Sequence, residues 1–249
     1  MRVPSLQMPM AGTRWISIAC LFGFAVQRLA ARVELVEGRL FEDIFTIAFG
    51  IHAPLLFAGF IWQPLTYMFL HGTVAHLLLN LASLCVVGSP VERFFGTRRL
   101  LAVFFLGGIA GGLGWLCADI ALPPLAHCIG ELPGAIARNA AAWLVSHCGP
   151  VGGRGVCIGA SAGVCGLVGA FAAAMPRRLD AWLIVIVTLG EPLLRGAGIA
   201  HSAHVFGCLA GYLLGRRFAF GIRNRPGMWY HGHNPAHLTP RDENYGGNQ

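Results

Sequence analysis

Ser161 lies in the run Gly159-Ala160-Ser161-Ala162-Gly163, between small residues at the start of an apolar stretch. A serine hydroxyl is a weak nucleophile until a neighbouring base takes its proton. A second apolar stretch carries Ala203-His204-Val205-Phe206-Gly207, and histidine suits that role because an imidazole titrates near neutrality. A third carries His71, His76 and Asn80. On a helix His76 and Asn80 share a face, so an imidazole and a carboxamide can point into one cavity. The backbone N–H of Ser161, at a helix N-terminus with Gly159 just before it, would add a donor in a favourable dipole. Such donors stabilise the oxyanion of acyl transfer. The chemistry these residues could perform is therefore nucleophilic attack by Ser161 with His204 as general base. No Asp or Glu is placed to orient His204, so a dyad is expected rather than a triad.

The elements that must position these groups are membrane helices. The chain has 249 residues, 55% of them hydrophobic and 12% charged, and a soluble domain carries about twice that charged fraction. The apolar residues come in blocks close to the roughly 20 residues that cross a bilayer. An all-α, polytopic bundle follows, with six spans expected near 15–31, 69–89, 99–118, 159–175, 180–195 and 198–217. Residues 1–14 form an N-terminal cytoplasmic segment, 15–217 the membrane domain and 218–249 a polar, disordered cytoplasmic tail. The first block has no persuasive cleavage site and reads as a retained helix.

Topology brings the polar groups to one depth. The net charge of +7 is carried by Arg alone, and the Arg residues cluster at the ends of apolar blocks, which fits topology better than nucleic-acid binding. With six spans and a cytoplasmic N-terminus, Arg93, Arg98, Arg99, Arg177, Arg178, Arg216 and Arg217 all lie inside, as the positive-inside rule prefers. A further span at 44–62 would put these clusters outside. Gly50, His52, Pro54 and Gly59 also interrupt that segment, so it reads as a re-entrant or interfacial loop. Spans two, four and six then run inward together, and at about 1.5 Å per residue His204 lies roughly 9 Å below the outer surface, with His76 at similar depth. Gly207 and Gly211 share the His204 face of span six, span four carries Gly163, Gly166, Gly169 and Ala170, and small residues at such spacing let helices approach closely.

At these residues the chain resembles the rhomboid family of intramembrane serine proteases. The matching stretches are WQPLTYMFLHGTVAHLLLN from Trp62, GSPVERFFGTRR from Gly88, GASAGVCGLVGA from Gly159 and AHVFGCLAG from Ala203. The resemblance implies a six-helix fold, a catalytic Ser161–His204 dyad, an oxyanion site using His76 and Asn80, and no cofactor. It also implies cleavage of transmembrane protein substrates near their outer ends, with span five as a gate. The expected location is a bacterial inner (cell) membrane, with the lipid bilayer and membrane substrates as partners and no nucleic acid. Trp62-Gln63-Pro64 stands where many members carry Trp-Arg, and Ala162 follows the serine where Gly is common.

Plainer readings compete with each assignment. Ser161 could be a packing residue, and His76 and Asn80 could merely link helices by hydrogen bonds. His201 and His204 could bind a metal with His71 and His76, but no HExxH motif or accompanying carboxylate is present, so no metal is expected. His71 reads as structural, and Glu92-Arg93 with Gly96 as a turn with a local ion pair. Residues 119–158 are too long for a simple link. Within them Ile136, Ala140, Trp143, Leu144 and His147 have the spacing of a surface helix. Cys117, Cys128, Cys148 and Cys157 in or beside that connection could form one or two disulfides. A rhomboid-like protein that binds membrane clients without cutting them is the alternative function. A transporter would need internal repeats, and none is convincing.

Overall fold

The computed structural model describes residues 10–32, 34–35, 39–131, 134–136, 138–139, 155–174 and 201–223. The expected fifth span at 180–195, the tail beyond Arg223, and Ala140, Trp143, Leu144, His147 and Cys148 lie outside the described residues. Cys117, Cys128 and Cys157 carry free thiols.

The first helix, α1, spans Ala11–Ala30. It begins before the expected position because its first amides are capped from a distance. The Gly12 and Thr13 N–H groups donate to the Glu92 carboxylate at 2.8 and 2.9 Å, and the Thr13 and Thr97 hydroxyls donate to it at 2.8 and 2.7 Å. Helix starts leave such N–H groups without intrahelical acceptors, and an anion there also meets the favourable end of the dipole. Glu92 is 1% exposed. The expected local ion pair with Arg93 is thus corrected: Arg93 is exposed, and Glu92 joins α1 to the helices on either side of the Gly96 turn.

Residues 41–69 form the broken segment expected at 44–62. A short hairpin, β1 (Glu34–Leu35) with β2 (Arg39–Leu40), leads into α2 (Phe41–Phe49), β3 (Ile51–His52), α3 (Ala53–Phe57) and α4 (Gln63–Thr66). No single helix crosses here. The last carbonyls of α2 lack intrahelical donors, and side chains of the following turn supply them. Gln63 Nε2 donates to Ile47 O at 3.0 Å, Trp62 Nε1 to Ala48 O at 3.0 Å and Thr66 Oγ1 to Phe49 O at 2.6 Å. The Gln63 side-chain oxygen accepts the His52 N–H at 3.0 Å. Gln63 therefore anchors this loop with a carboxamide, which both donates and accepts.

A helix runs from Val74 to Phe95 as α5 (Val74–Ser83), a π-helical stretch (Leu84–Gly88) and α6 (Ser89–Phe95). Pro90 lacks an N–H, and a wider turn just before it accommodates the ring. The next helix, α7, spans Thr97–Gly130, well past the expected end at 118. Hydropathy marks where a helix leaves an apolar medium, whereas its hydrogen bonds can continue beyond. Val74–Phe95 and Thr97–Ala121 are long and apolar enough to cross a membrane, and Ser161–Ala174 is a shorter apolar helix.

Strand β4 (Val156–Cys157) pairs antiparallel with β3, Ile51 opposite Cys157. It precedes α8 (Ser161–Ala174) and, later in the chain, α9 (His201–Arg223). Helix α9 continues past Arg217, where the polar tail was expected to begin. Phe218 packs edge-to-face on Phe95 and lies under the Arg99 guanidinium, which keeps this turn helical. Helices α7, α8 and α9 pack against one another. A Cβ on Gly211 would collide with the Gly166 carbonyl, and one on Gly207 with the Ala162 carbonyl, so these backbones touch directly. Trp115, Tyr67, Phe104, Leu100 and Leu167 fill the core, whereas Trp15, Phe22, Val86, Leu213 and Phe220 point outward. Apolar surface of that extent suits a lipid boundary.

Two stability predictions follow from these contacts. Glu92→Ala should destabilise the protein by about 2–4 kcal/mol, because charge-assisted hydrogen bonds to buried amides and hydroxyls are lost; thermal unfolding in detergent checks this, and Glu92→Gln should fall between. Gly211→Val should cost about 3 kcal/mol by forcing α8 and α9 apart, read by the same assay.

Candidate active site

Three separate elements deliver the site. Ser161 opens α8, and its position is set by the backbone leading into it. Gly159 has φ +123°, a conformation that L side chains rarely adopt. It donates its N–H to the Tyr67 carbonyl at 2.9 Å. With β4 pinned to β3, the turn before the serine is fixed on both sides. His204 is carried one turn into α9 and is 4% exposed. The direct contact of α8 with α9 brings their side chains within reach: His204 Nε2 lies 2.6 Å from Ser161 Oγ. A short O–H···N contact of this kind is the geometry by which a base draws the proton from a hydroxyl.

His76 stands on the other side of the serine turn. Thr73 caps α5 by accepting the His76 N–H at 3.0 Å, the usual N-cap arrangement, so His76 lies in the first turn. A Cβ placed on Gly159 would be 2.9 Å from His76 Nε2 and 3.8 Å from Ser161 Oγ. The imidazole and the hydroxyl thus flank the same small space over Gly159, which only a glycine leaves open. Asn80 is buried one turn further on, and its Nδ2 donates to the His76 carbonyl at 3.0 Å. The carboxamide carries two N–H groups, so this bond engages one of its donors. The first N–H groups of α8 have no acceptor within the helix, whose first turn closes at Val164 N to Ala160 O.

All five residues singled out from the sequence are therefore brought to one region: Ser161 and His204 in contact, His76 and Gly159 beside them, and Asn80 one turn away on α5. His71 and His76 pack with their rings edge-to-face, 5.1 Å between centroids. Among the described residues no three His, Cys, Asp or Glu side chains come together. Two contributors were not apparent from sequence. Tyr67 is almost fully buried, with its hydroxyl donating to Gly108 O at 2.6 Å and its carbonyl holding Gly159. Gln27 donates to the Thr46 hydroxyl at 3.1 Å and accepts the His71 N–H at 3.1 Å, joining α1 to α2 and to the start of α5. A glutamine in an otherwise apolar block was a signal for the second; an aromatic among aromatics gave none for the first.

A family model described as the Rhomboid domain matches residues 58–219. The rhomboid protease GlpG of Pectobacterium atrosepticum is 26% identical over 156 residues, which cover 62% of this chain and 47% of that protein. The RHOMBOID-like protein 5 of Arabidopsis thaliana is 26% identical over 188 residues, covering 72% and 49%. The inactive RHOMBOID-like protein 8 of the same plant is 45% identical over 53 residues, covering 21% and 15%. The chain spans less than half the length of these curated relatives. With the domain match extending over more than half of its residues and enclosing His76, Asn80, Gly159, Ser161 and His204, this chain belongs to the rhomboid family of integral membrane proteins.

Proposed function

We propose that this protein is an intramembrane serine endopeptidase that cuts transmembrane protein substrates with a Ser161–His204 dyad. The observation that carries the reading is the 2.6 Å contact between Ser161 Oγ and His204 Nε2, made between two apolar helices. Protease-named relatives such as GlpG support it. His204 accepts the hydroxyl proton as Oγ attacks the scissile carbonyl carbon, giving a tetrahedral oxyanion. The imidazolium then protonates the leaving amine, and the C–N bond breaks. Next, His204 takes a proton from water, hydroxide attacks the acyl-enzyme, and the proton returns to Ser161 as the acid product leaves. His76, Asn80 and the Ser161 N–H would donate to the oxyanion, which would form over the space beside Gly159.

The remaining features of the proposal concern the membrane. Six spans, with the N-terminus and the Arg clusters inside, would open the site to the outer face of a bacterial inner membrane. Substrates would be cut near their outer ends, at small residues beside helix-destabilising ones. A second reading, a family member that binds membrane clients without cutting, is favoured by the inactive relative. Retention of both Ser161 and His204 within hydrogen-bond distance argues against it.

Cleavage of a model transmembrane substrate and labelling by a fluorophosphonate probe test the proposal. Ser161→Ala and His204→Ala should each abolish both; equal labelling of all three proteins, or cleavage by Ser161→Ala, would remove the dyad. A wild type that binds the substrate without turnover would establish the client-binding reading instead. His76→Ala and Asn80→Ala should lower kcat by about 10- to 1,000-fold, as loss of an oxyanion donor does, with a smaller change in KM.

A further inference from the structure

His71 is fully buried in the turn just before α5, and its backbone is held by the Gln27 side chain. Neither of its ring nitrogens has a hydrogen-bond partner among the described residues. The Phe69 carbonyl interacts with the ring but is out of hydrogen-bond geometry. Buried polar atoms are almost always satisfied, by protein or by an internal water with several polar partners. The face of the structure next to this orphaned ring is His76, edge-to-face at 5.1 Å. A neutral imidazole donates from one nitrogen and accepts at the other. To serve an oxyanion, His76 must carry its proton on the nitrogen facing the Gly159 space, and what the other edge of the ring meets decides that. A metal ion between the rings would need further ligands, and the described residues bring no third His, Cys, Asp or Glu to them.

We propose that His71 is a positioning residue for His76: with an internal water held by one of its ring nitrogens, it fixes the rotamer and tautomer in which His76 faces the Ser161 pocket. The proposal rests on the reading of His76 as an oxyanion donor. A plain packing role for His71 makes a different forecast, because a phenyl ring, though somewhat larger, keeps a flat ring in that place but holds no water.

The test measures kcat, KM and thermal unfolding for His71→Phe, His71→Gln and His76→Ala, and for His76→Ala combined with each His71 change. His71→Phe should keep the wild-type unfolding temperature and KM while kcat falls about tenfold, the scale of a slightly misplaced catalytic group. His71→Gln, which can donate and accept, should recover part of that loss. Neither His71 change should lower kcat further once His76 is alanine, because the two act through one group. Wild-type kcat in His71→Phe, or losses that simply add to those of His76→Ala, would overturn the proposal; if the Phe variant does not fold, the cycle with His71→Gln decides. Cleavage surviving Ser161→Ala would instead overturn the protease reading, so the two failures are distinct.

Discussion

The direct backbone contact between α8 and α9 is the constraint on which the rest of the site depends. Gly166 meets Gly211, and Ala162 meets Gly207, with no side chain between them. In an apolar medium there is little hydrophobic force to hold helices together, so van der Waals contact between small residues has to serve. That contact fixes the spacing of the two helices, and the spacing fixes whether a hydroxyl on one reaches an imidazole on the other. The same economy of volume extends to α7. A Cβ on Gly107 would crowd Gly166, and one on Gly111 would crowd the Ala203 carbonyl. Three helices thus share one seam of small residues, and the Ser161–His204 contact sits at its end.

A helix pair alone would leave the serine turn free to move. The broken loop of residues 41–69 removes that freedom. Its strand β3 pairs with β4, Tyr67 receives the Gly159 N–H, and Trp62, Gln63 and Thr66 close the loop on the end of α2. Irregular backbone is tolerated at membrane depth only when its polar groups find partners in the protein. Here the groups that satisfy the loop also brace Ser161, so stability of the loop and geometry of the candidate site are one matter. At the far end of the helices Glu92 performs a comparable task, holding the first turn of α1 against the Gly96 turn.

Several of these features were legible beforehand, and others were not. Small residues flanking Ser161 and following His204 announced close helix approach, because that spacing follows from helical periodicity alone. Loop 44–62 was recognisable as non-spanning from the distribution of Arg residues around it, with its Gly, His and Pro residues in support. Gln63 was less transparent: its anchoring role depends on carbonyls at 47 and 48 that come near it only when the chain folds back. Glu92 beside Arg93 suggested an ion pair because neighbours in sequence are the only partners a sequence displays. Its real partners are Thr97, a turn beyond, and Gly12 and Thr13, about 80 positions away.

By itself the sequence determined the solvent, the helical elements and the residue types of the site. Those properties are local: hydropathy sums over one segment, and an α-helix closes its hydrogen bonds four residues apart. Tertiary structure decided which groups meet. Ser161 and His204 are separated by 43 positions, and Gly159 and Tyr67 belong to different turns. No local rule sets such distances; they follow from how closely whole helices pack and how the loop between them is pinned.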